Sequence, residues 1–400
     1  MKKILPVTAL MKNRIASIDL LRGAIMIIMA LDHVRDYFHA GGFLYDPLDL
    51  QKTSGVLFFT RWITHFCAPV FMLLAGTSAF LTGQKKTKME LSLFLLKRGL
   101  WLVFLEMVVV NFGWTFSITF PNLLFIVIWA LGISMIVLAA LIHLPKKIIL
   151  VIAVALIAGH NLLDSVHVAG KGPNAIGWAF LHQQSFFIWH GEGLFVGYPI
   201  LPWIGIMAFG YYVGQLYKAG YDPVKRKKTL LAIGFSAIVL FIVIRFINGY
   251  GDPSHWSSQK QAFYTFLSYI KVTKYPPSLL YILMTLGPAF LFLAVTEKSQ
   301  GAAVKIVSVY GRVPMFYYLI HIYLIHLLAM ISSELFTNVS WQKWILRMPL
   351  WINPDLKGYG FSLGIVYIVW FAVVIALYPL CKRYDAYKQA HKEKWWLSYL

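Results

Sequence analysis

Ionisable side chains stand inside an apolar segment near the start of the chain, where a purely structural membrane span has no use for them. Arg22 lies close to the beginning of this segment, and Asp32, His33 and Asp36 follow ten to fourteen residues later. Each ionisable group at the centre of a membrane costs roughly 2.5–3.5 kcal/mol on insertion scales. The segment is therefore predicted to carry a functional site.

Helical spacing places Arg22 and His33 on nearly the same face, three turns and roughly 16 Å apart along the helix axis. A carboxylate from Asp32 or Asp36 would fix the tautomer of His33 and raise its basicity, as a general base requires. The alternative is structural: Arg22 would anchor the helix to lipid phosphates, and the acids would form an interfacial salt-bridge cluster with Arg35. The spacing is compatible with both interpretations.

Two other apolar segments also pair an arginine with a histidine. Arg61 and His65 stand four residues apart and share a helix face, and Arg312 precedes His321 by nine residues. If the site transfers a group from a donor on the cytoplasmic side to an alcohol or amine acceptor outside, Arg312 is a candidate to bind a phosphate of the donor, because a guanidinium suits a phosphate group. Arg61 is a candidate to bind the acceptor. Structural alternatives stay open, because Arg312 could be a cytoplasmic anchor and His65 a satisfied buried histidine.

Polar residues in a long loop after the fifth apolar segment are candidates for an acceptor site. These are Asp164, Trp178 and His182. A tryptophan in such a loop can stack on the face of a sugar. The alternative is that these side chains only stabilise the loop.

The composition predicts an integral membrane protein. Hydrophobic residues make up 59% of the 400 residues and charged residues only 13%, against about 25% charged in soluble domains. The net charge of +20 could suggest a nucleic-acid partner. Lysine and arginine, however, are about twice as frequent on alternate flanks of the apolar segments. This bias records topology, so both termini are predicted in the cytoplasm and no nucleic acid is expected.

Ten apolar segments are long enough to cross a hydrocarbon core of about 30 Å. They predict an all-α bundle of about ten transmembrane helices that forms one domain over residues 1–400, multi-pass in a cell (inner) membrane. The predicted spans are 15–34, 56–82, 93–112, 122–143, 148–162, 198–217, 229–246, 278–296, 306–332 and 361–380.

Metal and nucleotide motifs are absent from the sequence. It contains no HExxH pair, no Walker loop and no GxGxxG before a strand. The two cysteines, Cys67 and Cys381, are too few for a disulfide framework or a metal knuckle. We therefore expect no metal.

Gly76, in the second apolar segment, is predicted to be a position of close helix packing.

Four segments of the chain carry a recognisable pattern. They are Ile18–Gly23 with His33, Thr64–Gly76, Tyr275–Leu279 and Gly311–Tyr318. Together they resemble the transmembrane acyltransferases, namely bacterial relatives of heparan-alpha-glucosaminide N-acetyltransferase and, more distantly, the acyltransferase-3 family. The resemblance covers most of the chain and is specific for the superfamily, but it says little about the substrate.

This resemblance implies transfer of an acetyl or other acyl group from cytoplasmic acyl-CoA to a hydroxyl or amine on the far side of the lipid bilayer. The acceptor would be a small molecule or a glycan. Arg22, Arg312 and His321 would hold the donor, and His33, assisted by His65, would be the base. A homodimer is compatible with the resemblance.

Two questions stay open at the level of sequence. The acyltransferase-3 family usually has a histidine at the position of His33, whereas the heparan enzyme looks to have an asparagine there and a histidine in the following loop, nearest His39. The base is therefore His33 or His39, and Arg22 and the acids that flank His33 favour His33. A transporter or flippase for a polar solute, using the same buried groups, is the alternative function, although the chain lacks inverted repeats.

Overall fold

The computed structural model describes residues 15–189 and 191–398, and these residues are mostly helical. The helices are α1 (Ala16–Phe38), α2 (Gly55–Ile63), α3 (Cys67–Gly83), α4 (Lys88–Leu105), α5 (Asn111–Thr115), α6 (Val127–Leu141), α7 (Lys146–Gly159), α8 (Pro173–His182), α9 (Leu201–Val213), α10 (Pro223–Ile247), α11 (Ala262–Ile270), α12 (Leu279–Val295), α13 (Ala302–Arg312), α14 (Pro314–Phe336) and α15 (Leu363–Ala390). The strands are β1 (Asn122–Phe125), β2 (Ser185–Trp189) and β3 (Glu192–Val196).

Within the described residues, five helical segments are long and apolar enough to cross a membrane. They are Gly55–Gly83, Lys146–Leu163, Pro223–Ile247, Pro314–Phe336 and Leu363–Ala390. The prediction of a helical membrane protein is confirmed at this level. The count of ten spans and the cytoplasmic position of both termini stay predictions.

Helix α1 occupies the centre of the bundle. It packs against α3 on one side and against α13, α14 and α15 on the others, so most of its side chains are buried. At about 1.5 Å per residue, its 23 residues extend for roughly 34 Å. The first predicted span thus lies within α1 except for Ile15, and its charged side chains are buried apart from Arg22, which is partly exposed.

Glycines let the neighbours of α1 approach closely. A Cβ atom on Gly311 of α13 would lie 2.0 Å from the carbonyl oxygen of Asp19, and one on Gly23 would lie 2.0 Å from that of Val307. The two backbones therefore cross with no room for a side chain, as small residues permit in membrane helices. This close crossing fixes the position of Arg22, along the axis of α1, relative to α13.

Two of the predicted spans are interrupted helices. A 3-10 turn, Thr64–Phe66, separates α2 from α3, and the ninth span divides at Val313 into α13 and α14. Pro314 begins α14, where a proline is favoured because the first helical amide needs no partner. A π turn, Glu106–Val110, also lies in the third span. Such local departures from α geometry often accompany functional sites.

A small sheet corrects the all-α prediction. Strand β3 pairs in parallel with β1 and antiparallel with β2, giving the order β1-β3-β2. The predicted fourth span, 122–143, therefore begins as a strand, and its helix α6 starts only at Val127. Strands this short leave too few alternating positions to be distinguished from an apolar helix start or a loop.

A close contact between α3 and α9 leads to a first prediction. A Cβ on Gly76 would lie 2.0 Å from the carbonyl oxygen of Met207, so Gly76→Ala must push the helices apart. We expect a loss of about 1–3 kcal/mol, as for other overpacked cores, measured as a lower unfolding temperature in detergent. The matched control is Gly177→Ala in α8, where nothing lies within 4 Å of the added atom. An equal decrease in both variants would contradict the prediction.

Candidate active site

Two cavities lie along α1, and the first contains Arg22. It has a volume of about 330 Å³. Its cationic lining comes from four elements and its remaining wall is largely apolar. The cationic residues are Arg22, Arg98, Arg312 and Lys388, and the apolar ones include Met26, Met29, Leu102, Ile128, Leu131 and Met135. We call this space the Arg22 cavity.

The second cavity contains His33 and is larger, at about 640 Å³. Its wall combines charged and aromatic side chains from α1, α2, α5, the loop after α1, the sheet and later loops. They include Asp32, Arg35, Asp36, Asp46, Arg61, Lys274, Trp114, Phe186, Phe195, Tyr198, Tyr275 and Trp351. We call it the His33 cavity.

The two cavities meet at Val127 and Tyr318, which line both of them. Val127 is the first residue of α6, and the sheet that precedes it forms part of the wall of the His33 cavity. Tyr318 lies one turn into α14 and also contacts the ring of His33, with centroids 6.0 Å apart. Arg22 and His33, three turns apart on one helix, therefore face two spaces with a common boundary.

A second histidine orients His33. Nδ1 of His33 lies 2.7 Å from Nε2 of His321, and Nδ1 of His321 lies 2.8 Å from the carbonyl oxygen of Tyr317. Because a carbonyl only accepts, Nδ1 of His321 carries the proton, and in the neutral ring its Nε2 accepts from Nδ1–H of His33. Nε2 of His33 is then the nitrogen with a free lone pair. This tautomer is the one a general base needs.

The expected carboxylate partners of His33 are instead bound to cations. Asp32 accepts two hydrogen bonds from Arg61, at 2.7 and 2.9 Å, and lies 2.9 Å from Arg35 and 3.9 Å from Lys274. Asp36 pairs with Arg35. The salt-bridge alternative is therefore present around His33. The group that orients His33 is His321, for which the sequence predicts a donor-binding role.

Two other candidate histidines lie away from the cavities. His65 is buried and, among the described residues, neither of its ring nitrogens has a hydrogen-bond partner. His39 follows the last residue of α1, and burial, together with Arg35, lowers its pKa. In the described part of the chain, neither residue lines the Arg22 cavity or the His33 cavity.

Both predicted donor arginines line the Arg22 cavity and are held there by named contacts. Arg22 donates to Ser78 at 3.2 Å and to the Gly311 carbonyl at 3.0 Å. Arg312 binds the carboxylate of Asp385 through Nε and Nη2, each at 2.7 Å. Arg98 and Lys388 complete the cationic lining. Neither Arg98 nor Lys388 could be predicted from the sequence, where both are ordinary flanking cations; they reach the cavity only because α4 and α15 fold against it.

The loop before α12 brings Lys274 and Tyr275 to the His33 cavity. Arg245 holds this loop, donating to the carbonyl oxygens of Ser254, Ser268, Tyr269 and Lys271. Asp252 accepts from Ser254, Thr273 and Ser278. Lys274 was not predicted from the sequence, and Tyr275 entered only as the first residue of the motif Tyr275–Leu279, with no role assigned to it.

The predicted acceptor residues divide into two groups. Arg61 lines the His33 cavity, whereas the ring of His182 contacts Asp164, Trp178 and His160 in a separate cluster. His160 and His182 are hydrogen-bonded at 3.1 Å. Burial lowers the pKa of His182 and raises that of Asp164. Ligand atoms of His160, Asp164 and His182 all lie within 4.8 Å of one another, so the expectation of no metal needs a test.

Comparison with known proteins identifies the family. The model of the family described as heparan-alpha-glucosaminide N-acetyltransferase, catalytic, matches residues 14–245, more than half of the chain. No curated protein matches the chain. The matched segment contains Arg22, His33 and Arg61, and it ends before Arg312 and His321.

Proposed function

The chain belongs to the heparan-alpha-glucosaminide N-acetyltransferase family, and on that premise we propose that it is a membrane-embedded acyltransferase. It moves an acetyl or other acyl group from cytoplasmic acyl-CoA to a hydroxyl or amine of an acceptor on the far side of a cell membrane. The observation that carries this proposal is the pair of cavities on α1, one lined by cations and one containing a histidine, which meet at Val127 and Tyr318.

The lining of the Arg22 cavity fits an acyl-CoA. Its four cations suit phosphate groups, and the guanidinium of an arginine can bind phosphate through two parallel hydrogen bonds. The apolar wall between these cations and Val127 suits an aliphatic arm and an acyl group. Asp385 positions Arg312, and Gly311 and Ser78 position Arg22. The Arg22 cavity is proposed to open to the cytoplasm, because the flanks richer in lysine and arginine are predicted to be cytoplasmic.

His33 supplies the base in this mechanism. Its Nε2 takes the proton from the acceptor O–H or N–H while that oxygen or nitrogen bonds to the acyl carbon. The thioester C–S bond breaks, and the sulfur leaves as the thiolate or takes the proton back from His33. The hydrogen bond between Nδ1 of His33 and Nε2 of His321 holds the ring of His33 so that its own Nε2 points away from His321. Direct transfer needs both substrates at the boundary formed by Val127 and Tyr318.

The wall of the His33 cavity supports a carbohydrate acceptor. Aromatic rings such as Trp114, Tyr275 and Trp351 offer flat faces to a sugar, and Asp36 and Asp46 offer hydrogen-bond acceptors to its hydroxyl groups. This cavity faces outward in the proposed topology of ten spans with both termini in the cytoplasm. The protein is then a multi-pass component of the inner membrane that modifies a glycan.

Labelled acetyl-CoA and purified protein test the proposal. We expect saturable binding of acetyl-CoA, competition by CoA in a thermal-shift assay, and acetyl transfer to an amino sugar or hydroxyl acceptor that depends on His33. A carrier for a polar solute should ignore CoA. Failure of the protein to bind acetyl-CoA, together with no loss of transfer in the His33→Ala variant, would overturn the proposal.

Replacement of Arg312 should weaken donor binding. Hydrogen bonds to charged groups contribute about 1.5–3 kcal/mol, so Arg312→Gln is expected to weaken acetyl-CoA binding roughly 10- to 150-fold, measured by equilibrium binding. Arg226→Gln is the matched control, because Arg226 also pairs with an acid, Glu297, but does not line the cavity. Equal losses in the two variants would mean that Arg312 acts only through general surface charge.

A further inference from the structure

The cluster of His160, Asp164 and His182 resembles a metal site in composition and in geometry. His160 and Asp164 stand four residues apart on one helical turn after α7, and His182 ends α8. Two imidazoles and one carboxylate form a ligand set that zinc uses in proteins. The sequence showed no such site because its three members are spread over 23 positions and belong to two elements.

The distances fit a cation of this kind. Nδ1 of His160 lies 3.1 Å from Nε2 of His182, and that nitrogen lies 3.7 Å from Oδ1 of Asp164. Two nitrogens bound to one tetrahedral zinc ion at about 2.0–2.1 Å lie roughly 3.3 Å apart. In the hydrogen-bonded pair one facing nitrogen carries a proton; when that ring takes its other neutral tautomer, with the proton on its far nitrogen, both facing lone pairs are free to bind a cation.

Surrounding groups hold the candidate ligands in place. Asn161 donates to Oδ2 of Asp164 at 2.7 Å, and its own oxygen accepts from the backbone amide of Leu279 at 2.9 Å. Oδ1 of Asp164 is thereby turned toward His182. His160 lies against the backbone of Pro277. Such outer partners orient metal ligands in known sites.

Burial distinguishes this cluster from a chance group of surface histidines. His160 and His182 are 3% and 4% exposed, so both imidazoles face protein rather than solvent. The side chain of Asp164 is 18% exposed, which leaves one open side. A fourth ligand, such as a water molecule, can enter from that side.

We propose that His160, Asp164 and His182 bind one divalent transition-metal ion, with Zn²⁺ as the preferred ion. The ion ties the end of α7 to the end of α8, from which the chain continues into Gln184 and Ser185 at the His33 cavity. It therefore stabilises the wall of that cavity rather than entering any reaction. This inference is independent of acyl transfer.

Metal analysis of the full-length protein tests the proposal. Protein purified without a polyhistidine tag is treated with a chelator and titrated with Zn²⁺, and the bound metal and the unfolding temperature are measured. We expect one Zn²⁺ per chain, a higher unfolding temperature with the ion, and, with Co²⁺, the absorption spectrum of a tetrahedral site. Loss of an outer partner already weakens metal sites by about 10- to 100-fold, so His182→Gln and Asp164→Asn should weaken binding at least 100-fold.

The exposed His255, in another loop, provides the control. His255→Gln should bind Zn²⁺ as the wild type does. The proposal is overturned if the chelator-treated wild type binds no stoichiometric Zn²⁺, or if His182→Gln retains it, since binding would then be adventitious. If a variant does not fold, stoichiometry and the Co²⁺ spectrum of the wild type still decide the question.

Discussion

Replacing His33 with glutamine is expected to reduce kcat by about 10²- to 10⁴-fold, the range that general-base catalysis contributes. Glutamine keeps a polar side chain near His321 but cannot take a proton from the acceptor. The affinity for acetyl-CoA should stay close to that of the wild type, because His33 lines the His33 cavity and not the Arg22 cavity, where the donor is proposed to bind. Equilibrium binding and single-turnover transfer of the labelled acetyl group separate the two effects.

The rival histidine supplies the control for this prediction. His39→Gln should leave kcat nearly unchanged, since His39 does not line either described cavity. A large loss in His39→Gln with normal turnover in His33→Gln would instead assign the base to His39. Large losses in both variants, accompanied by lower unfolding temperatures, would indicate damage to the end of α1 and would contradict a specific role for His33.

Much of the site could be predicted from one helix because its residues are local in sequence. The eleven-residue spacing of Arg22 and His33 fixes their relative position as soon as the segment is helical, and both line cavities in the structure. Arg312 is also predictable from a short stretch of sequence, because it is a cation near the start of an apolar segment. Helix period and apolar length are properties of a short stretch of chain.

The partners of these residues could not be predicted because they come from distant parts of the chain. His321 reaches His33 across 288 positions, and Lys274 reaches Asp32 only because Arg245 and Asp252 fold the intervening loop. From the sequence, the neighbouring Asp32 is the natural partner to predict for His33. In the structure α2 packs against α1, and Asp32 accepts hydrogen bonds from Arg61 instead.

The limits of span prediction have the same origin. A long apolar run does not reveal that Thr64–Phe66 and Val313 interrupt helices, because the interruption depends on what packs there. The strand Asn122–Phe125 is apolar in the same way as the helix that follows it, and it becomes a strand by pairing with Glu192–Val196. Hydropathy measures the preference for lipid or protein interior, whereas these features depend on tertiary contacts.

Asp32→Asn is expected to lower the free energy of unfolding by about 3–5 kcal/mol, as when one partner of a buried ion pair is removed. Asp32 is 9% exposed and is the carboxylate shared by Arg35, Arg61 and Lys274. Asparagine leaves these cations without their shared charge and turns an amide group toward donors. The measurement is the unfolding midpoint in a fixed detergent, with denaturant or heat.

Asp36→Asn is the matched control for the Asp32 variant, because its side chain is 31% exposed and pairs with Arg35 alone among the described residues. It should destabilise the protein less than Asp32→Asn does, because Asp36 is partly exposed and Arg35 keeps its contact with Asp32. Adding Lys274→Met to Asp32→Asn should recover part of the lost stability, since the excess positive charge is reduced, and the double-mutant cycle gives the coupling. Equal destabilisation by Asp32→Asn and Asp36→Asn, with no recovery, would show that the shared carboxylate does not hold α1 against α2.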